Sequence, residues 1–108
     1  MKKLQFTLGI ILAASFIAGG AFAVQPTPKN MGEVKFKEQC AVCHPNGGNI
    51  INPKKTLMKA GREVNNIKTA ADIIKNMRNP GPGMTKFDEK TISNADAKAI
   101  ADYILKTF

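Results

Sequence analysis

The chain's only histidine stands directly behind its only two cysteines, in the run Cys40-Ala41-Val42-Cys43-His44. Composition does not account for three such scarce residues within five positions. The order suits one chemistry, covalent attachment of haem c. Each thiol adds to one vinyl group of the ring, and a two-residue spacer sets both sulfurs along one ring edge. The next residue then offers an imidazole nitrogen to the iron. Competing readings ask for more than the chain supplies. A thioredoxin-like redox pair wants a βαβ setting, and no strand-like run flanks Cys40. Structural zinc needs four ligands, and two cysteines with one histidine leave the set short. A plain disulfide would close a tiny loop, where the entropic gain is least.

The first 23 residues stand apart from the rest. Met1-Lys2-Lys3 is a charged start, and residues 4–23 contain no charge. The apolar centre runs through Leu8, Ile10, Ile11, Leu12, Phe16 and Ile17 and ends in Ala21-Phe22-Ala23. Small residues one and three places before a cut after Ala23 mark residues 1–23 as a secretory signal peptide. The alternative is an uncleaved anchor, since about 20 apolar residues just span a bilayer. With the signal cleaved, the chain is expected to be exported to the periplasm or beyond, without stable membrane insertion. Removing 23 of 108 residues leaves 85. A chain this short buries only about two thirds of its unfolded surface, so its core is thin, and a covalently held haem would supply a large apolar body to pack on. Export fits the cofactor too, because outside the cytosol both thiols must be consumed by thioethers or pair with each other.

Lys2 and Lys3 carry two of the eight net positive charges, so the mature part keeps +6. Tryptophan is absent, and the basic residues are spread from Lys29 to Lys106 instead of clustering on one element. That distribution excludes a nucleic-acid binder. It fits a solvated monomer whose positive face steers it to a redox protein with an acidic docking face.

Residues 24–30, with Pro26 and Pro28, form a flexible lead-in, and one domain follows over 31–108. Helical spacing is expected across Gly32 to Val42, with Glu33 early, where a negative charge suits the dipole, and with the cysteine motif closing the same helix. Pro45-Asn46-Gly47-Gly48-Asn49 is a turn. Ile50 and Ile51 then offer apolar side chains to the edge of the haem. Thr56 to Ala60 is at most a short helix stopped by Gly61, with Arg62 to Lys68 as loop. Thr69 opens a clearer helix, with Asp72 in the capping-box position and Ala70, Ile73, Ile74 and Met77 on one face. Asn79 before Pro80 ends it. The last helix starts at Ser93, again with Asp96 three residues on, and carries the stripe Ala97, Ile100, Ala101, Ile104 and Leu105. No segment alternates with period two. The fold class is all-α, three to four helices with long loops wrapped around one haem.

A second iron ligand would have to come from the methionines. Met58 and Met77 occupy helix positions where core packing is the default. Met84 lies in the loop Pro80-Gly81-Pro82-Gly83-Met84, where Gly83 lets the backbone come close to a ring. Spacing favours Met84, leaving Met58 or an open site as alternatives.

The combination of Gly32-x-x-x-Phe36, Cys40-x-x-Cys43-His44, a loop methionine at Met84 and Ile100-x-x-Tyr103 resembles the class I cytochrome c pattern over nearly all of the mature chain. Gly47-Gly48-Asn49 and Lys55-Thr56-Leu57 are similar to segments of the short bacterial and algal c-six branch. The resemblance implies a first helix crossing the last, with Gly32 and Phe36 against Ile100 and Tyr103. It also implies axial ligation by His44 and Met84, Phe87 packing on the haem, and a one-electron carrier that is not an enzyme. The rival function is a five-coordinate haem protein, peroxidase-like or gas-sensing, but the chain has no second histidine for such work. One departure is visible: the family's Met-Pro-x-Phe is here Met84-Thr85-Lys86-Phe87, which implies a looser loop and a weaker iron–sulfur bond. The ring N–H of His44 is expected to find its acceptor near Asn52-Pro53.

Overall fold

The computed structural model describes residues 19–21, 27 and 29–108. The signal-peptide reading of 1–23 lies almost wholly outside the described residues, and of the lead-in over 24–30 only Thr27, Lys29 and Asn30 are described. Among those described there are four α-helices and no strand: α1 (Met31–Gln39), α2 (Lys59–Val64), α3 (Ala70–Arg78) and α4 (Asn94–Thr107). A short 3₁₀ turn covers Pro45–Gly47.

The first helix ends sooner than expected. The amides of Cys40 and Ala41 both reach back to the Phe36 carbonyl, at 2.8 and 3.0 Å. The second bond spans one residue more than an α-helical step, so the last turn widens and the ladder stops. The cysteine motif does not close α1 but forms a turn of its own, in which the amides of Cys43 and His44 both return to the Cys40 carbonyl, at 3.2 and 2.9 Å.

Packing of α1 against α4 is set by Gly32. A Cβ there would collide with the Ala99 carbonyl and stand 2.9 Å from the Tyr103 Cβ, so the two backbones touch. Only glycine permits that approach. One turn on, the buried Phe36 ring lies 5.3 Å from Tyr103 and 5.4 Å from Phe108, centroid to centroid. Gly32 thus meets Ala99 and Tyr103, and Phe36 meets Tyr103 and shares the core with Ile100, as the resemblance implies. Ile100 faces fully into the core, with Ala97, Ala101 and Ile104 on the same stripe of α4 and Ile73 and Met77 of α3 against them. Ile92, 1% exposed, seals the entry to α4.

Both caps read from sequence are present. Thr69 Oγ1 accepts from the Asp72 amide at 3.2 Å, and the Asp72 carboxylate accepts from the amides of Thr69 and Lys68, each at 2.9 Å. Ser93 Oγ accepts from the Asp96 amide at 3.1 Å. The Asp96 carboxylate does not complete a box; it lies 3.9 Å from Lys35 Nζ on α1. Second-helix expectations need correcting. Gly61 does not stop a helix but sits inside α2, its bare Cα turned toward Thr56, and Arg62 to Val64 are helical. Arg62 draws this segment inward, being only 4% exposed, and its Nε–H donates to the Leu57 carbonyl at 2.8 Å.

Candidate haem cleft

The turn Cys40–His44 forms one side of a deep cleft, and the loop through Gly81–Thr85 forms part of the other. Between them lies an open cleft whose lining includes the apolar side chains Leu57, Ile67, Ile73, Met77 and Ile104. Clefts of this kind take a whole cofactor.

On the first side, the ring of His44 is fixed by a 2.7 Å contact between Nδ1 and the Gly48 carbonyl. A carbonyl can only accept, so Nδ1 carries the proton and donates it. Nε2 is left with a free lone pair, the arrangement a metal-ligating imidazole needs. The acceptor is Gly48 and not the Asn52–Pro53 region expected from sequence. The reason is local: the 3₁₀ turn brings the chain straight back beneath the ring, with Gly47 N–H on the His44 carbonyl at 3.1 Å and Gly48 N–H on the Pro45 carbonyl at 2.9 Å. Cys40 and Cys43 are both free thiols. Burial pushes the Cys40 thiol up to about 11, because the thiolate would be poorly solvated there.

On the other side, Met84 follows Gly83, whose φ of +89° lies in the left-handed region that glycine adopts without cost. The Met84 amide reaches the Gly81 carbonyl at 3.4 Å, and the sulfur receives the Asn76 side-chain amide at 3.6 Å. Phe87 lines the cleft next to it, held by its own amide on the Met77 carbonyl at 3.0 Å and by Arg78 Nη1 on its carbonyl at 2.9 Å.

The structure gathers Cys40, Cys43, His44, Ile51, Met84 and Phe87 around the one cleft. Ile50 does not join them: it is 64% exposed and outside the lining, whereas its neighbour Ile51 lines the cleft. Of the other methionines, Met77 packs in the core as expected, whereas Met58 is 42% exposed at the start of α2 and touches neither core nor cleft. Among the cleft residues that escaped the sequence reading, Asn76 and Arg62 matter most. Asn76 could have been found one residue before Met77 on the apolar face of α3. Nothing in the sequence marks Arg62 as buried.

These residues fit haem c. Two reduced thiols precede an imidazole with a free Nε2 on one side of the cleft, a thioether faces in from the other, and an apolar floor lies between. Among the described residues no group of three or more His, Cys, Asp or Glu could hold a bare ion, which disposes of the zinc reading.

Residues 28–104 match the family model described as cytochrome C oxidase, cbb3-type, subunit III. Cytochrome c6 of Cyanidium caldarium is 38% identical over 104 residues, spanning 96% of this chain and 92% of that protein. Cytochrome c6 of Synechocystis sp. is 35% identical over 101 residues, spanning 90% of this chain and 83% of its own. Among solved structures, OmcF, the outer membrane cytochrome F of Geobacter sulfurreducens, superposes with a TM-score of 0.69 at 48% identity, covering 71% of this chain and 98% of that one. Motif, fold and kinship agree: the chain belongs to the class I cytochrome c family and is a cytochrome c6-like, monohaem electron carrier, not an enzyme.

Proposed function

We propose that Cys40 and Cys43 hold haem c by two thioethers, that His44 Nε2 and Met84 Sδ are its axial ligands, and that the protein shuttles single electrons between larger redox proteins after export. Haem c, when bound, supplies a one-electron ferric/ferrous couple. The observation that carries this reading is the pairing of sides: the Cys-x-x-Cys-His turn and the Met84 loop face into the same cleft.

The chain's residues do the rest. The Gly48 carbonyl holds His44 in the tautomer that presents Nε2. A thioether ligand favours the ferrous state and raises the potential. Asn76 occupies one side of the Met84 sulfur and leaves a lone pair for the iron. With His44 and Met84 both holding the iron, no site would be left for a substrate, and exchange would be confined to electrons. Leu57, Ile67 and Ile73 keep water from the cleft floor. Signal cleavage after Ala23 leaves one domain over 31–108, preceded by a short lead-in. Among the described residues no helix is long and apolar enough to cross a membrane.

Partners are redox proteins with an acidic face. Lys55 lines the cleft, and Lys86 is exposed between the lining residues Thr85 and Phe87. The encounter should slow as salt is added.

Intact mass of the purified protein tests the reading directly. Expected is the chain from Val24 plus one haem, with loss of covalent haem in Cys40→Ala/Cys43→Ala. A mature mass without haem, or haem retained covalently in the double variant, would refute it.

A further inference from the structure

Among the described residues no aspartate or glutamate lines the cleft, whereas Lys55 and Arg62 do. Lys55 is exposed and its charge is solvated at the mouth. Arg62 is different. It is 4% exposed, the one buried charged side chain among the described residues. Its Nε–H is taken by the Leu57 carbonyl at 2.8 Å, but no protein acceptor among the described residues meets Nη1 or Nη2. No carboxylate pairs with it there either; its neighbour Glu63 turns to Lys59, at 4.0 Å. Buried side-chain nitrogens without partners are absent from the described structure, so the two terminal nitrogens keep open surface, and the surface they keep is on the cleft that Arg62 lines.

A guanidinium held out of bulk water without a counter-charge is strongly unfavourable. Two neighbouring amide side chains at this end of the cleft are already engaged. Asn49 accepts from the amides of Ile51 and Asn52 and donates to the Lys55 carbonyl. Asn65 donates to the Gly61 carbonyl at 2.8 Å. Asn52 accepts from the Lys54 amide and keeps only a neutral NH2. Arg62 is the buried cation with two terminal nitrogens free, and that charged pair matches a carboxylate in two-point geometry.

We propose that Arg62 is the carboxylate anchor of the cleft, and, resting on the haem reading above, that the carboxylate it receives is a propionate of the cofactor. The Leu57 carbonyl fixes the guanidinium through Nε, so the two terminal nitrogens are aimed before the cofactor arrives. The anchor orients the ring with its propionate edge toward α2. It also places a fixed positive charge beside the cofactor, which disfavours the ferric state and so raises the potential. Arg62 is a positioning residue, acting on the cofactor's periphery and not on the iron.

Resonance Raman spectra of the haem-loaded protein provide the test, through the propionate bending modes, which rise when the carboxylate is hydrogen-bonded. Expected is one raised mode in the wild type, lost in Arg62→Gln and partly kept in Arg62→Lys, with a reduction potential that falls in Arg62→Gln and stays nearer wild type in Arg62→Lys. Both propionate modes at the solvated position in the wild type would overturn the proposal, and so would a raised mode that survives in Arg62→Gln. If Arg62→Gln fails to load haem, the wild-type spectrum and Arg62→Lys decide by the same criteria. A role limited to the Leu57 bond would lower the melting temperature of both variants and move neither mode nor potential, which also refutes the anchor. Intact mass is checked first: a wild type without covalent haem refutes the underlying haem reading, whereas a loaded protein without the raised mode refutes Arg62 alone.

Discussion

The side-chain amide of Asn76 on α3 points its nitrogen at the sulfur of Met84, 3.6 Å away on the same side of the cleft. A hydrogen bond to a thioether draws electron density from it and makes it a poorer donor to ferric iron. Asn76→Leu, which removes the donor at similar volume, should therefore lower the reduction potential. A neutral hydrogen bond of this kind is worth about 1 kcal/mol, or about 40 mV for one electron. Protein-film voltammetry checks the sign, and an unchanged or higher potential would mean the contact is not maintained once haem is bound.

Met84 is expected to carry the far-red absorption band of the ferric protein, which reports sulfur on iron. Met84→Ala should abolish that band and lower the potential. Met77→Leu conserves volume in the core and should keep the band while costing less than about 1.5 kcal/mol in denaturant melts. Met58→Leu, at an exposed position, should change neither.

Gly32→Ala tests the helix crossing. Its new methyl would meet the Ala99 carbonyl, a backbone atom that can yield only if α1 slides off α4. A loss of about 1–3 kcal/mol is expected, in the range of overpacked sites, with the iron spectrum unaltered. A stability equal to wild type in chemical melts would show that the helices are not held at this distance.

Asp72 makes the acid limb of the stability curve predictable. Backbone N–H donors from Lys68 and then Thr69 hold its carboxyl below the ordinary value. A folded-state pKa that is depressed contributes stability in full above the unfolded value, about 3.9. That contribution is lost as pH falls from there through the folded value. Asp88, with the Thr91 and Lys90 amides on its carboxylate, has the same sign. Melting temperatures measured from pH 6 to pH 2 should fall below about pH 4, and the fall should be shallower in Asp72→Ala, which starts lower. Parallel curves for the two proteins would remove Asp72 from the account.

Much of this arrangement could be read from the residues, and for physical reasons. The caps Thr69 and Ser93 were legible because their chemistry is local, a side-chain oxygen and an amide three residues on. The stripe of α4 was legible because burial enforces a helical period. The cysteine-histidine turn announced itself by scarcity. What failed was long-range. Gly61 looked like a stop because glycine often is one, but the price of an interior glycine is met here by the approach of α2 to Thr56. Arg62 looked like the start of a loop, and only the cleft it lines makes its burial intelligible. His44 found Gly48 where Asn52–Pro53 was expected, because a left-handed Asn46, at φ 52°, folds the turn more tightly than proline and glycine alone suggest.

The tightness of that turn bears on the order in which the cleft assembles. From His44 to its partner Gly48 is a span of four residues, and Ile50 closes on Cys43 within seven. From His44 to Met84 the chain runs forty residues, through two helices. A tenfold longer loop costs about 2 kcal/mol more to close. The histidine side can therefore form early, almost as a free peptide would, while the methionine side waits for α3 and α4 to dock. The same asymmetry runs in reverse under stress: the loop of Met84 is the hinge along which the cleft first comes open, and the turn around His44 is the part still shut when it does.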